Sequence, residues 1–295
     1  MTASIALGAS QIAARLRQAA EILNAQGANP FRVAAYRKAA QTVERHDFDL
    51  RDILNRTGRD GLAELPAIGA GLAAAIAEML ETGRWAQLDR LRGSLDPATL
   101  FRTIPGIGPE LAERIHDALG VETLEALEVA CHDGRLENVP GMGRRRAASV
   151  RAALAEILAP VRNAARSALG SVEPPVEMLL DVDREYRERA RAGTLPRIAP
   201  RRFNPEARAW LPILHAQRGD WHFTALFSNT ASAHQLGRTH DWVVLYFDSD
   251  HHGERQRTVV TERRGALAGH RVVRGREQEC AQHYRRSVAT IETAW

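Results

Sequence analysis

Apolar residues recur at helical spacing through the first half of the chain and change to strand-like runs in the second. Ile12, Leu16, Ala19, Ala20 and Leu23 share one face of a helix with Ser10 as its N-cap, and the pattern stops near Gly27. Asn29 and Pro30 form the cap and first turn of a second helix, which carries Phe31, Ala35 and Ala39 inward. A short helix around Leu50 to Leu54 follows, then one ending at EMLETG, where Gly83 is a natural C-cap. GSLDPATLF reads as a linker. Past Pro160, DVDREYRERARAG keeps helical periodicity, whereas GTLPRIAPRRFNP has none and reads as an extended connector suited to an acidic partner. WLPILHAQ and WHFTALFS flank RGD as a hairpin, and SNTASAHQLG is a short helix. WVVLYFDS, RTVVTE and HRVVRG are strands, and REQECAQHYRRSVATIE closes the chain as a helix. Short turns between consecutive strands imply a mostly antiparallel sheet. The expected architecture is multi-domain: an all-α region in two pieces (1–95 and 96–160), a helix and Pro/Arg-rich connector (161–204), and a small α+β domain (205–295).

One pattern occurs three times in the helical half. LPAIG at Leu65, IPGIG at Ile104 and VPGMG at Val139 each run apolar, Pro, small, apolar, Gly, and each leads straight into a helix. Glycines around one apolar residue allow a tight bend with that residue as an inward anchor. The first N–H groups of the following helix lack intrahelical partners and carry the positive end of its dipole, which suits a phosphate. Such a turn touches no base edge, so it holds a nucleic-acid backbone without reading sequence.

The chain has 295 residues, a net charge of +4 and a pI near 9.5, with the arginine surplus in the second half. Lys38 is the only lysine among forty basic residues. Arginine stays protonated, so amine nucleophiles are nearly absent. The cysteines, Cys131 and Cys280, lie far apart, with no disulfide framework or thiolate zinc motif implied. MTASIALGAS lacks the features of a signal peptide and no run reaches membrane-spanning length, so a cytoplasmic, nucleoid-associated protein without membrane contact is expected.

NPFRVAAYRKAA places Arg32, Tyr36, Arg37 and Lys38 on one helix, where they could track a phosphate backbone and stack on a terminal base, with a solvated basic face and Tyr36 half-buried in the core as the alternative. This segment, followed by LPAIG, TGRWAQLDRL, LFRTIPGIGPELAERI and GRLENVPGMG, resembles the amino-terminal helix-hairpin-helix region of family X DNA polymerases over about Ser10 to Leu158. The resemblance implies a lyase-like domain gripping the far side of a DNA gap and a second unit gripping the primer side. It also implies phosphate contacts at the backbone of Ala67, Gly69, Gly106, Gly108, Gly141 and Gly143, and a monovalent cation held by hairpin carbonyls. Ala67 stands where the family usually has glycine. Gly71 and Ala75 stand where lyase-active relatives carry lysines, which argues against Schiff-base chemistry. Arg144, Arg145 and Arg146 open the helix after the third turn. Cations there oppose the helix dipole unless a phosphate is present, so a DNA contact is expected of them.

A polymerase palm would need metal-binding carboxylates after a Gly-Ser turn. Gly170 and Ser171 precede Asp181 and Asp183, but the surrounding helical, densely charged pattern argues against a buried strand. Eight of the eleven histidines fall after residue 205. His215 and His222 are expected to face each other across the first hairpin, and His234 and His240 to bracket the short helix. DSDHHGE groups metal-ligand types at Asp248, Asp250, His251, His252 and Glu254, with a polar turn as the alternative. Arg238, His240, Arg274 and Arg276 form a candidate anion pocket, with a basic sheet face as the alternative. The expected function is sequence-independent binding of gapped, nicked or ended duplex DNA in repair or processing. The alternatives are a DNA-end or nucleotide-processing enzyme and an adaptor that recruits repair proteins.

Overall fold

The computed structural model describes residues 7–45, 49–94, 97–157, 173–249 and 252–292. Its first part is helical: α1 (Ala9–Ala25), α2 (Pro30–Arg45), α3 (Leu50–Ala63), α4 (Ala70–Thr82), α5 (Ala86–Leu91), α6 (Pro97–Phe101), α7 (Pro109–Leu119), α8 (Leu124–His132) and α9 (Arg144–Ile157). A six-stranded antiparallel sheet in sequential order follows helix α10 (Val176–Arg191). Its strands are β1 (Arg197–Ile198), β2 (Leu211–Arg218), β3 (Trp221–Phe227), β4 (Val243–Ser249), β5 (His252–Thr261) and β6 (Arg271–Val273), with α11 (Ala231–Gln235) between β3 and β4 and α12 (Glu277–Glu292) at the end.

Local chemistry moves some of the expected boundaries. Gly8 rather than Ser10 caps α1: its carbonyl accepts from the Gln11 and Ile12 N–H groups, while Gln11 Oε1 accepts from the Gly8 N–H. Asn29 does cap α2, its Oδ1 accepting from the Phe31 N–H at 2.8 Å. Phe31 itself is 85% exposed, and the inward face of α2 is set instead by Arg32, Val33, Tyr36, Ala39 and Ala40. Helix α3 runs on to Ala63 through a break at Gly58, whose φ of 70° a helix cannot hold. Part of the expected linker folds as α6, and the connector contributes the short edge strand β1.

Two apolar cores divide the molecule. One unites α1 to α5 with α10 and the sheet, and the other holds the second and third turns, from Ala86 to Leu154. The helix expected beside the connector therefore shares a core with the first helical piece as well as with the sheet. Register sets which sheet face meets which helices. His215, Thr224, Tyr246, Asp248, Glu254 and Gln256 share one parity, and this face meets the amino-terminal helices. The opposite parity, including Leu214, Phe223, Phe227, Leu245 and Val259, is covered by α10, where Tyr186 packs edge-on to Phe227 at 4.8 Å. Helix α4 lies against the sheet; a Cβ added to Gly253 would stand 3.3 Å from the Ala74 Cβ. The small residues of α4 thus admit a strand at close range, and Ala75 among them is buried.

Candidate nucleic-acid interface

The three Pro-containing turns share one backbone geometry. The N–H groups of Ile68, Ile107 and Met142 donate to the carbonyls of Leu65, Ile104 and Val139 at 3.1, 3.2 and 2.9 Å, closing four-residue turns with Pro second. The third residue is left-handed in each, with φ of 62° at Ala67, 88° at Gly106 and 86° at Gly141. Pro second and positive φ third are the marks of a type II turn. The anchors Ile68, Ile107 and Met142 are buried, whereas Ala67, Gly69, Gly106, Gly108, Gly141 and Gly143 are exposed. The closing glycines then begin helices: the Ala73, Ala112 and Ala147 N–H groups bond back to Gly69, Gly108 and Gly143 at 2.9, 2.9 and 3.0 Å. Ala67 holds the turn without glycine and stores strain of about 1 kcal/mol. Ala67→Gly is expected to raise stability by up to that amount in thermal unfolding; no gain would mean the neighbours already compensate for the bend.

Around the third turn the protein concentrates charge. Arg144, Arg145 and Arg146 are exposed at the start of α9; Arg146 Nη1 donates to the Gly141 carbonyl at 2.7 Å, and Arg144 lies 3.6 Å from Glu137. Arg114 of α7 was not among the sequence candidates, yet its Nη1 would stand 2.9 Å from a Cβ on Gly141, so α7 and the third turn are neighbours. Only tertiary packing reveals it. The carbonyls do not suit the expected monovalent cation equally: the Gly141 oxygen already receives Arg146, and the Pro66 oxygen receives the Thr42 hydroxyl at 2.8 Å. At the third turn a second positive charge would face the guanidinium.

Of the four candidates on α2, Arg37 and Lys38 are exposed, whereas Arg32 and Tyr36 are buried. Arg32 Nη2 donates to Asp248 Oδ1 at 2.8 Å, and the Tyr36 hydroxyl donates to Gln87 at 2.9 Å with its ring stacked on Trp85. Burial pushes the Tyr36 phenol up to about 12. These two residues therefore join parts of the core and present nothing to a phosphate backbone.

The same contacts reassign the expected metal cluster. Asp248 is bound to Arg32, and Glu254 takes Arg90 through two bonds of 2.8 and 2.9 Å. Asp250 and His251 lie outside the described residues, and no group of metal-ligating side chains assembles among the described ones. Arg90 also lies 3.3 Å over the Tyr246 ring, whose hydroxyl donates to Glu122. Gln256 ties in the backbone of Gly120 and Glu122. His116 completes this seam. Burial pulls its pKa down, but the carboxylates of Asp117 and Glu122, 3.6 and 3.5 Å from its ring nitrogens, leave it above the usual value.

His215 stands opposite Thr224 in the register, and His222 opposite Gln217, so the two histidines are diagonal rather than face to face. His215 Nε2 meets Gln26 Oε1 at 2.8 Å and its Nδ1 meets the Thr224 hydroxyl at 3.1 Å, which fits a neutral ring. Burial, reinforced by the positive charges of Arg32 and Arg90, pushes its pKa down to about 3. The unfolded chain takes up a proton here below about pH 6.5, whereas the folded chain does not. The stability this site contributes is therefore present above pH 6.5 and lost as pH falls toward 3. His215→Gln is expected to flatten the fall in urea midpoint across that window; an unchanged slope would mean the ring protonates in the fold.

The remaining carboxylate and arginine candidates also separate. Asp181 and Asp183 sit on helix α10, paired with Arg218 and with Arg187 and Arg271, and no palm strand carries them. Gly170 and Ser171 lie outside the described residues. Arg274 pairs with Glu262 at 2.6 Å, and Arg276 bonds the Pro174 carbonyl and Glu279, so both are drawn off by acceptors of their own. Arg238 lies 4.0 Å from Asp241. The expected four-residue anion pocket does not assemble; His240 lines a cavity that the three arginines do not share. His234 lies within α11 and bonds Asn229 instead of flanking the helix.

Comparison with known proteins agrees with the turn geometry. Residues 8–85 match the helix-hairpin-helix domain family, and residues 98–156 match the SAM-like helix-hairpin-helix tandem family. Over 142 residues, 48% of this chain, the sequence is 28% identical to the DNA polymerase/3'-5' exonuclease PolX of Bacillus subtilis (strain 168). The aligned part spans 24% of that relative's length. No helix among the described residues is long and apolar enough to cross a membrane. With its turns in this geometry, the amino-terminal half is a helix-hairpin-helix region of the kind found in family X DNA polymerases.

Proposed function

We propose that the chain binds DNA through its backbone, independently of sequence, in a repair or processing setting. The observation that carries this reading is the set of three left-handed turns with exposed third residues, each leading through an exposed glycine into the N-terminus of a helix. Main-chain donors at a helix start hold phosphate oxygens and contact no base, so affinity arises from strand geometry and charge. Single nonspecific sites of this type bind at about 10⁻⁴ to 10⁻⁶ M, and several on one chain add through effective concentration. Arg144, Arg145 and Arg146 add counterion release at the third turn. Gapped, nicked or ended duplexes are the preferred forms in this proposal, because turns in two separate cores can grip the two sides of an interruption.

The test is fluorescence anisotropy with gapped and intact duplexes of unrelated sequence over a salt series. Neutralising Arg144, Arg145 and Arg146 to Gln is expected to lower the slope of log affinity against log salt by about 0.9 for each lost duplex phosphate contact. An unchanged slope would place the triplet away from DNA. Affinities that follow base sequence would contradict backbone recognition.

A further inference from the structure

The sheet face beneath α10 opens at one end into a cavity of about 450 Å³ that the hairpins do not use. That volume is within the ordinary range for small-molecule sites. Its walls are fixed by the Tyr186 hydroxyl, which donates to the Pro212 carbonyl at 3.0 Å and accepts from the Phe227 N–H at 2.8 Å. Helix and strands are thereby held apart at a set distance.

Four guanidiniums line this cavity: Arg187 and Arg191, one turn apart on α10, Arg197 on edge strand β1, and Arg271 on β6. Two of them are held from behind. Fully buried Asp183 accepts from Arg271 at 2.6 and 3.0 Å and from Arg187 at 3.0 Å. Asp241, also in the wall, is occupied by Arg271 at 2.6 Å and by the Thr261 hydroxyl at 2.6 Å. Arg191 and Arg197 are exposed and have no carboxylate partner among the described residues. Two engaged carboxylates thus face four guanidiniums and the imidazole of His240, leaving surplus positive charge at the mouth. Beside them Trp210 and Phe227 supply aromatic surface. Arginine forks match phosphate oxygens, and an indole offers a face to a flat ring.

We propose that this cavity binds a single nucleotide unit, with its phosphate at Arg191 and Arg197 and its base against Trp210. The unit is either a free deoxynucleoside monophosphate or the phosphorylated terminal nucleotide of a DNA strand. The site does not depend on the hairpins, so a Gly106→Val variant is expected to retain it. Binding of deoxyadenosine monophosphate to the full chain, measured by calorimetry, is expected to weaken about tenfold in R191Q/R197Q. Trp210→Leu is expected to weaken the nucleotide by a similar factor and leave inorganic phosphate unaffected. Both arginines are exposed, so the first variant keeps the fold. The proposal is overturned if the nucleotide does not bind, if R191Q/R197Q binds it as tightly, or if inorganic phosphate binds equally well. Duplexes with and without a 5′-phosphate separate the two sources. A preference for the phosphorylated end that disappears in R191Q/R197Q assigns the site to strand termini. Equal affinity for both ends, with nucleotide binding intact, assigns it to free nucleotide.

Discussion

Glu254→Ala is expected to cost about 3–5 kcal/mol of unfolding free energy, a large part of the 5–15 kcal/mol typical of folded proteins. Arg90 is 2% exposed and relies on Glu254 for both strong hydrogen bonds of its guanidinium. With the carboxylate gone, a buried cation would be left with the Tyr246 ring and the charge of Glu122, which is already engaged by the Tyr246 hydroxyl, far weaker compensation than a bidentate acid. Desolvation of the unpaired charge, more than loss of attraction, sets the size of the effect. Urea unfolding followed by circular dichroism measures it. Replacing both residues together, R90L/E254L, is expected to recover much of the loss, because an apolar pair leaves no charge to desolvate. A loss below about 1 kcal/mol in the single variant would show that water reaches Arg90, as at a surface pair.

Valine at Gly106 or Gly141 is expected to weaken binding to every duplex by about one to two orders of magnitude. Both glycines have φ near 87°, where a side chain costs about 1–3 kcal/mol and a β-branched one sits at the upper end. Nothing lies within 4 Å of a Cβ on Gly106, so the effect there comes from the backbone alone, whereas at Gly141 the new atom also meets Arg114. The turn relaxes to another conformation and its helix N-terminus no longer faces the phosphate. Anisotropy with several unrelated duplexes reads the outcome, with circular dichroism confirming helix content. Selective loss on one sequence, or no loss at all, would remove these turns from the interface.

The turns were legible in the sequence because their geometry is written in local chemistry: Pro, a left-handed position and an apolar anchor occupy consecutive residues. The strands from Leu211 onward were legible for a similar reason, since their apolar runs and the Arg218–Trp221 reversal are local. What failed were inferences about where a polar side chain points. Arg32 and Tyr36 form a basic and aromatic pattern on α2 that looks like a DNA contact, but Asp248, 216 residues away from Arg32, draws the guanidinium into the core. Glu254 belongs by type to a metal-ligating group and His215 to a pair across the first hairpin, but Arg90 and Gln26 engage them as seam residues. Phe31 broke the inward pattern because Arg32 holds the buried position beside it. Long-range charge pairing has no periodicity, so a single sequence does not display it.

The shared core has a bearing on how this chain can be cut. The half that aligns with PolX ends well before the sheet, yet its helices α1 to α5 enclose their apolar side only with strands that come much later. Truncation near residue 160 would uncover that side and strand Arg32 and Arg90 without their acids. Ancestry and core therefore part company: the first helices of the segment that carries the kinship complete their apolar core with strands that lie outside it.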